Sequence, residues 1–240
     1  DALERVTGKA SYGADIHLPG MLYGKVLRSP HAHAVIRRID ASKALALEGV
    51  KAVVTGADLP DIPPGTSAPQ GEMRVDIHYL SRLGMARDKA LFAGHPVAAV
   101  AATDPYTAEE ALRLIDVEYE VLPPVLDVLE AMRPGAPILH PHLRTQKVLG
   151  EKGTEPTNIA MVIELGRGDV ARGFAEADVV LEGTYRVGPA HQGYIEPEAC
   201  VAQVEPDGRI TVWTSCQGSF GMRNQLSMLF QTSPGLIRVV

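Results

Sequence analysis

The chain has 240 residues, enough for one large domain or two small ones. Hydrophobic residues make up 45% and charged ones 22%, which excludes a disordered, collagen-like or coiled-coil chain. With 23 Lys and Arg against 29 Asp and Glu the net charge is −6, which argues against a surface that tracks nucleic-acid phosphates. No apolar run approaches the ~20 residues of a membrane span, and the charged start Asp1-Ala-Leu-Glu-Arg-Val lacks a signal-peptide core. Cys200 and Cys216 are too few for a disulfide framework and match no zinc spacing, so a cytoplasmic setting is expected.

Gly20 to Arg28 reads as a strand closed by Ser29-Pro30, because proline disfavours the helical region before it. Val35 to Ile39 reads as a second strand. Asp40 should cap a short helix with Ala41, Ala44, Leu45 and Leu47 as apolar positions and Gly49 past its end. Val50 to Thr55 is an expected buried strand, and proline-rich Leu59 to Gly71 an expected loop. Pro96 to Thr103 is a continuous apolar strand. Asp104-Pro105 then starts a helix whose Ala108, Ala111, Leu112 and Ile115 share one face. Val117 to Val121 alternates as a strand, so this stretch resembles a βαβ unit or half of a split α+β fold.

Proline-rich, aperiodic sequence follows Pro123, and the expected division is 1–124, a linker over 125–157, and 158–240. In the last region Asp169 should cap a helix with Val170, Phe174 and Ala177 inward. Asp178 to Val187 alternates like a half-solvated strand. Ala199 to Val204 and Arg209 to Thr214 should pair across Glu205-Pro-Asp-Gly208. Met222, Leu226, Leu229 and Phe230 share a helix face. Ile237 to Val240 starts a strand, and a strand start without a pairing partner suggests a polypeptide that continues.

Four places could carry chemistry. His31-Ala-His33 and His140-Pro-His142 could chelate, since i and i+2 share a strand face, but no further ligand at diagnostic spacing completes either pair. Polar turn histidines fit as well, and no metal site is assigned. His191 to Glu198 packs an imidazole, an amide, a phenol and two carboxylates into one loop, which could orient a substrate or simply cap a strand. In Trp213 to Gly221 a strand runs into a helix near Ser219, with Gln217-Gly218 in the turn. A helix start offers free N–H groups, Gly218 would admit close approach, and Gln217 adds an amide donor for an anionic or oxo ligand. An ordinary helix start with an exposed glutamine is the alternative. Cys216 beside it could be a nucleophile or a buried small hydrophobe; no adjacent base argues for a thiolate, which favours the second.

The segments Arg5-Val-Thr-Gly-Lys-Ala-Ser-Tyr-Gly-Ala-Asp15, Leu22-Tyr-Gly-Lys-Val-Leu-Arg-Ser-Pro-His-Ala-His33 and Gly49-Val-Lys-Ala-Val-Val-Thr-Gly56 are followed by Phe92 to Val100 and Thr107 to Pro123. In this order they resemble the large molybdenum-cofactor subunit of the xanthine dehydrogenase and aldehyde oxidase family. The resemblance implies a mixed α+β chain: a "hammerhead" domain followed by the start of a molybdopterin-binding domain. His191 to Glu198 is similar to the loop opening that second domain, and Trp213 to Phe220 to the segment whose glutamine approaches the metal's oxo ligand. The resemblance therefore makes Gln217 and Gly218 cofactor-binding residues, and gives Glu196 a structural or substrate-channel role. It implies hydroxylation of an aldehyde or N-heteroaromatic carbon with water as oxygen source. Electrons would leave through 2Fe-2S clusters and FAD on partner subunits or domains, in an oligomeric enzyme.

The family's later Gly-Gly-x-Phe-Gly motif and its glutamate base are not in these 240 residues, and two cysteines cannot ligate a cluster needing four. No catalytic residue is therefore assigned within them. The expectation is an N-terminal portion that is inactive alone. A non-catalytic scaffold or subunit-interaction module of hammerhead fold is the other reading, and the length of the reading frame separates the two.

Overall fold

The computed structural model describes residues 2–70, 73–147, 153–195 and 198–240. Contacts divide the chain into two units, Asp1–Val125 with Pro197–Val240, and Leu126–Glu196. The architecture is α+β.

The first unit opens with a short helix α1 (Ala2–Val6) and contains four small sheets. One has the order β1 (Tyr23–Arg28), β7 (Pro96–Ala102), β3 (Val50–Thr55), all antiparallel. The unbroken apolar run of the central strand is explained by its place, since Val97, Ala98, Val100 and Ala102 are all buried. Helix α4 (Pro105–Arg113) packs Ala108 and Ala111 against this sheet, and the short helix α2 (Ser42–Leu45) adds Ala44. Alanines on both sides let the helix backbone lie close to the strands. Asp104 caps α4 by accepting from the Tyr106 and Thr107 N–H groups, with Pro105 in the first turn.

A second sheet, in the order β6 (Lys89–Ala90), β2 (Ala34–Asp40), β8 (Asp116–Val121), is also antiparallel. Strands β7 and β8, on either side of α4, therefore lie in different sheets. The split arrangement holds and a parallel βαβ unit does not. The expected loop over Leu59 to Gly71 contains a strand, β4 (Ser67–Gln70), which pairs with β5 (Met73–Asp76) ahead of helix α3 (Ile77–Gly84). Its prolines obscured it, and prolines are tolerated because the ribbon has only two strands and each is an edge. Asp40 accepts from the Ser42 N–H and hydroxyl, but Ala41 occupies the cap position, so the aspartate acts one residue early. Gly56 meets the backbone so closely that a Cβ there would lie 2.4 Å from the Ala86 carbonyl oxygen.

The last sheet joins β11 (Cys200–Val204) to β12 (Ile210–Thr214) as a hairpin, and β13 (Ile237–Val239) pairs in parallel with β12. Gly208, at φ 85°, makes the tight turn the hairpin requires. The final strand is thus partnered, contrary to the sequence expectation. Helix α7 (Ser219–Leu229) connects β12 to β13 and packs Met228 and Leu229 on a small cluster of Ile62, Ala68 and Ile77.

The second unit holds α5 (Val128–Ala131), a two-residue parallel pairing of β9 (Gln146–Lys147) with β10 (Met161–Val162), and α6 (Val170–Glu176). Asp169 caps α6 as expected, but Val170 and Phe174 are exposed rather than inward. Residues 178–187 form no strand, and every one of them is exposed. A strand needs a neighbour to take its N–H and C=O groups, and no described strand runs beside this segment. Asn158 instead organises this unit, donating to the Ala131 and Pro137 carbonyls and accepting from the Leu139 N–H.

Candidate functional site

The hairpin β11–β12 and helix α7 form the local scaffold for Gln217 and Gly218. Strand β12 is central in its sheet, with Val212 buried, and so fixes the position where the chain leaves at Thr214. Ser215 to Gly218 turn out of the sheet, and α7 begins at Ser219 with Gly218 in the N-cap position. Gly218 is extended and supplies no side-chain cap. The Met222 N–H is bonded to the Gly218 carbonyl at 3.1 Å. The N–H groups of Ser219, Phe220 and Gly221 precede it in the first turn and have no partner within the helix.

Gln217 is exposed, and a Cβ placed on Gly218 or Gly221 would meet nothing within 4 Å. The turn therefore presents backbone N–H groups, an amide and open space to one side, a set of donors that suits an anion or an oxo group. Cys216 is exposed with a free thiol, as is Cys200. The expectation of a buried small hydrophobe at Cys216 is therefore wrong, because the turn carries it out of the sheet.

Arg223 escaped the sequence reading. Its Nε is buried without a hydrogen-bond partner, and its Cζ lies 5.2 Å from the centre of the Phe220 ring, three residues back on the same helix. The signal was available, since residues 208–240 contain three arginines and no acid.

The other candidates disperse. Glu196 lies outside the described residues. His191, exposed, accepts from the Gly193 N–H at 3.0 Å and folds its own loop. His33 is buried, its Nδ1 2.8 Å from the Pro123 carbonyl oxygen and its Nε2 unpartnered, while His31 meets the Tyr119 ring edge-on. His140 and His142 lie in the second unit. Among the described residues no three His, Cys, Asp or Glu side chains gather as metal ligands. A groove of about 630 Å³ lies between Leu18–Gly24 and β11, and Gln217 does not line it.

His95 is wholly buried and its ring joins two backbone segments. It accepts from the Leu91 N–H at Nδ1 (3.1 Å) and donates from Nε2 to the Arg82 carbonyl (2.8 Å). Burial lowers its pKa from the ordinary value, and the Arg82 contact opposes that only in part. This is a neutral, structural histidine rather than an acid–base group.

Comparison with known proteins gives this geometry a family. Residues 7–123 match the family model described as "Aldehyde oxidase and xanthine dehydrogenase, a/b hammerhead domain", and residues 152–240 match "Molybdopterin cofactor-binding domain". The chain belongs to the xanthine dehydrogenase and aldehyde oxidase family of molybdopterin-binding large subunits. It is 35% identical over its whole length to the probable hypoxanthine oxidase of Escherichia coli strain K12, covering 27% of that protein. It is 34% identical over 92% of its length to the carbon monoxide dehydrogenase large chain of Afipia carboxidovorans, also covering 27% of its relative. The crystal structure of quinoline 2-oxidoreductase from Pseudomonas putida matches 99% of the chain with a TM-score of 0.79 and 30% identity, over 28% of its own length. The chain thus spans little more than a quarter of these relatives.

The turn before α7 lies inside the segment matched to the cofactor-binding domain, and its chemistry can be tested against the cofactor. Molybdopterin is anionic. The turn offers N–H donors and open space at two glycines, with no acidic residue in the first turn of the helix and the Arg223 guanidinium over the Phe220 ring. These residues fit the group.

Proposed function

We propose that these residues form the N-terminal part of a molybdenum hydroxylase catalytic subunit, which oxidises an aldehyde or an N-heteroaromatic substrate with water as the oxygen source. The observation that carries this reading is the donor-rich turn Cys216–Gly221 ahead of α7, within the stretch matched to the cofactor-binding domain. Residues 1–124 then make up the hammerhead domain, 125–157 a linker, and 158–240 the beginning of the molybdopterin-binding domain. The family matches at 7–123 and 152–240 support two domains that meet between residues 123 and 152.

When bound, the cofactor supplies the redox chemistry at the substrate carbon. Gln217 would aim its amide N–H at the cofactor as a preorganised dipole, and Gly218 would let the backbone approach. Glu196 would have a structural or substrate-channel role. Partners carrying 2Fe-2S and FAD would take the electrons, in a cytoplasmic oligomer. One relative bears the name of subunit gamma of a 6-hydroxypseudooxynicotine dehydrogenase complex, which supports assembly with other chains. The free thiols of Cys200 and Cys216 fit a reducing compartment.

The test is made on the full-length gene product. Stoichiometric molybdenum, and ¹⁸O from labelled water in the product of an aldehyde or N-heteroaromatic substrate, are expected. A purified product without molybdenum would favour the scaffold role instead. In the active enzyme, Gln217→Ala should lower turnover per bound molybdenum by on the order of 10²–10³, as for loss of one preorganised donor. Equal turnover at equal loading removes Gln217 from the site.

A further inference from the structure

We propose that Arg223 anchors the cofactor through an oxyanion, supplying the positive charge that the neutral donors of the Gln217–Gly218 turn lack. This rests on the reading of that turn as part of the cofactor site.

Side chains on a helix lean toward its N-terminus, and Arg223 follows that rule. Its guanidinium lies over the Phe220 ring in the first turn of α7, at 5.2 Å, and Phe220 itself is 74% exposed. The ring holds the planar group by a cation–π contact and limits its freedom. One terminal nitrogen of the guanidinium also makes a long bond of 3.4 Å to the Asn224 amide oxygen. Nε is buried and unpartnered, and no carboxylate pairs with Arg223 among the described residues.

The charge is also placed against the local field. The start of a helix is its positive end, where cations are disfavoured and anions favoured. Residues 208–240 hold Arg209, Arg223 and Arg238 with no Asp or Glu, in a chain whose net charge is −6. Arg209 is paired with Asp207, whereas Arg223 has no such counter-ion. An unneutralised guanidinium stacked at a positive helix end, its terminal nitrogens engaged among the described residues only by the long bond to Asn224, is accounted for by an anion that binds there. The guanidinium fork matches the oxygens of a phosphate ester, which the pterin cofactor carries, better than a point charge would.

The test uses the full-length subunit with Arg223→Gln, Arg223→Lys and, as a separate probe, Gln217→Ala. Molybdenum and pterin per polypeptide, the rate of their release on dilution at low and high salt, and the melting temperature are measured. Arg223→Gln should lower occupancy and speed release by at least about tenfold at low salt, with the difference narrowing at high salt as charges are screened. Arg223→Lys should fall between it and the wild type. Wild-type occupancy and release in Arg223→Gln at every salt concentration overturns the proposal. So does a lower melting temperature with unchanged occupancy, which would mark a structural arginine. Should Arg223→Gln not fold, Arg223→Lys decides by the same release rates. If Gln217→Ala lowers turnover per molybdenum while Arg223→Gln binds normally, this proposal fails and the reading of the turn survives. If both variants match the wild type in occupancy, release and turnover, the turn itself is not the site.

Discussion

The sheet β1–β7–β3 with α4 and the segment 178–187 begin from equally clear sequence patterns and end in opposite states. In the first, an apolar strand and a helix with alanines on one face close on each other until Ala98, Val100, Ala108 and Ala111 are buried. In the second, Val179, Leu181, Tyr185 and Val187 alternate as a strand should, yet Leu181 is 92% exposed. Periodicity states which face of an element seeks burial. Whether it is buried depends on a partner surface, and for the second segment no described strand provides one.

Removing a buried connector from the first region should have the largest effect. His95→Ala leaves the Leu91 N–H and the Arg82 carbonyl without their partner and opens a cavity at a wholly buried ring. A loss of about 3–5 kcal/mol is expected in denaturant unfolding. Phe174→Ala, on exposed α6, should stay within about 0.5 kcal/mol. Comparable losses in the two variants would break the contrast between the regions.

The same histidine gives the first region a pH dependence. Its folded pKa lies below the ordinary histidine value of about 6.5, so below that pH the unfolded chain binds the additional proton. Stability from this source is complete above about 6.5 and is lost as pH falls through the folded pKa. Melting temperatures recorded from pH 7.5 downward should decline, and His95→Gln should flatten that part of the profile. A profile with the same slope in the variant would exclude His95 as its source.

The two N-caps offer a smaller contrast. Asp104 and Asp169 cap their helices in the same way, but α4 packs Ala108 and Ala111 into the core and α6 buries no residue. Bonds from Thr107 hold the Asp104 carboxyl below its ordinary pKa, with its side chain the larger cause. Asp104→Ala should therefore lower the global melting temperature, whereas Asp169→Ala should only fray α6, visible as faster amide exchange there. Equal shifts in melting temperature would show α6 to be coupled to a core.

These pairs also show what the sequence could reveal. The caps Asp104 and Asp169, the turn at Gly208 and the limits of β3, β7 and α7 were legible, because each depends on a few neighbouring residues with a fixed local chemistry. The sheet that β8 joins was not, since α4 can return the chain to either sheet and only long-range pairing with β2 decides it. At the candidate site, Gln217 and Gly218 stood out through spacing and resemblance. Arg223 did not: three arginines without an acid over residues 208–240 are legible, but which of them lacks a counter-ion shows only once the surroundings are placed.

Leu181→Ser is the substitution with the smallest expected effect and bears most directly on segment 178–187. Serine at a position 92% exposed removes almost no burial, so the unfolding free energy of the 240-residue chain should change by less than about 0.5 kcal/mol. The alternating pattern predicts the opposite wherever a partner strand is present. There, Leu181 would be covered together with Val179 and Tyr185, and its loss would cost about 2–5 kcal/mol, as for other buried leucines cut back to small side chains. Measuring the variant both in the 240-residue chain and in the full-length protein separates the two situations with one mutation. A neutral result in the short chain and a large loss in the full-length protein would mean that the pattern encodes a strand whose partner lies beyond these residues. Neutrality in both would mean that the alternation has no structural consequence. A large loss in the short chain alone would show that the segment is already packed, and the contrast between the two regions would fall.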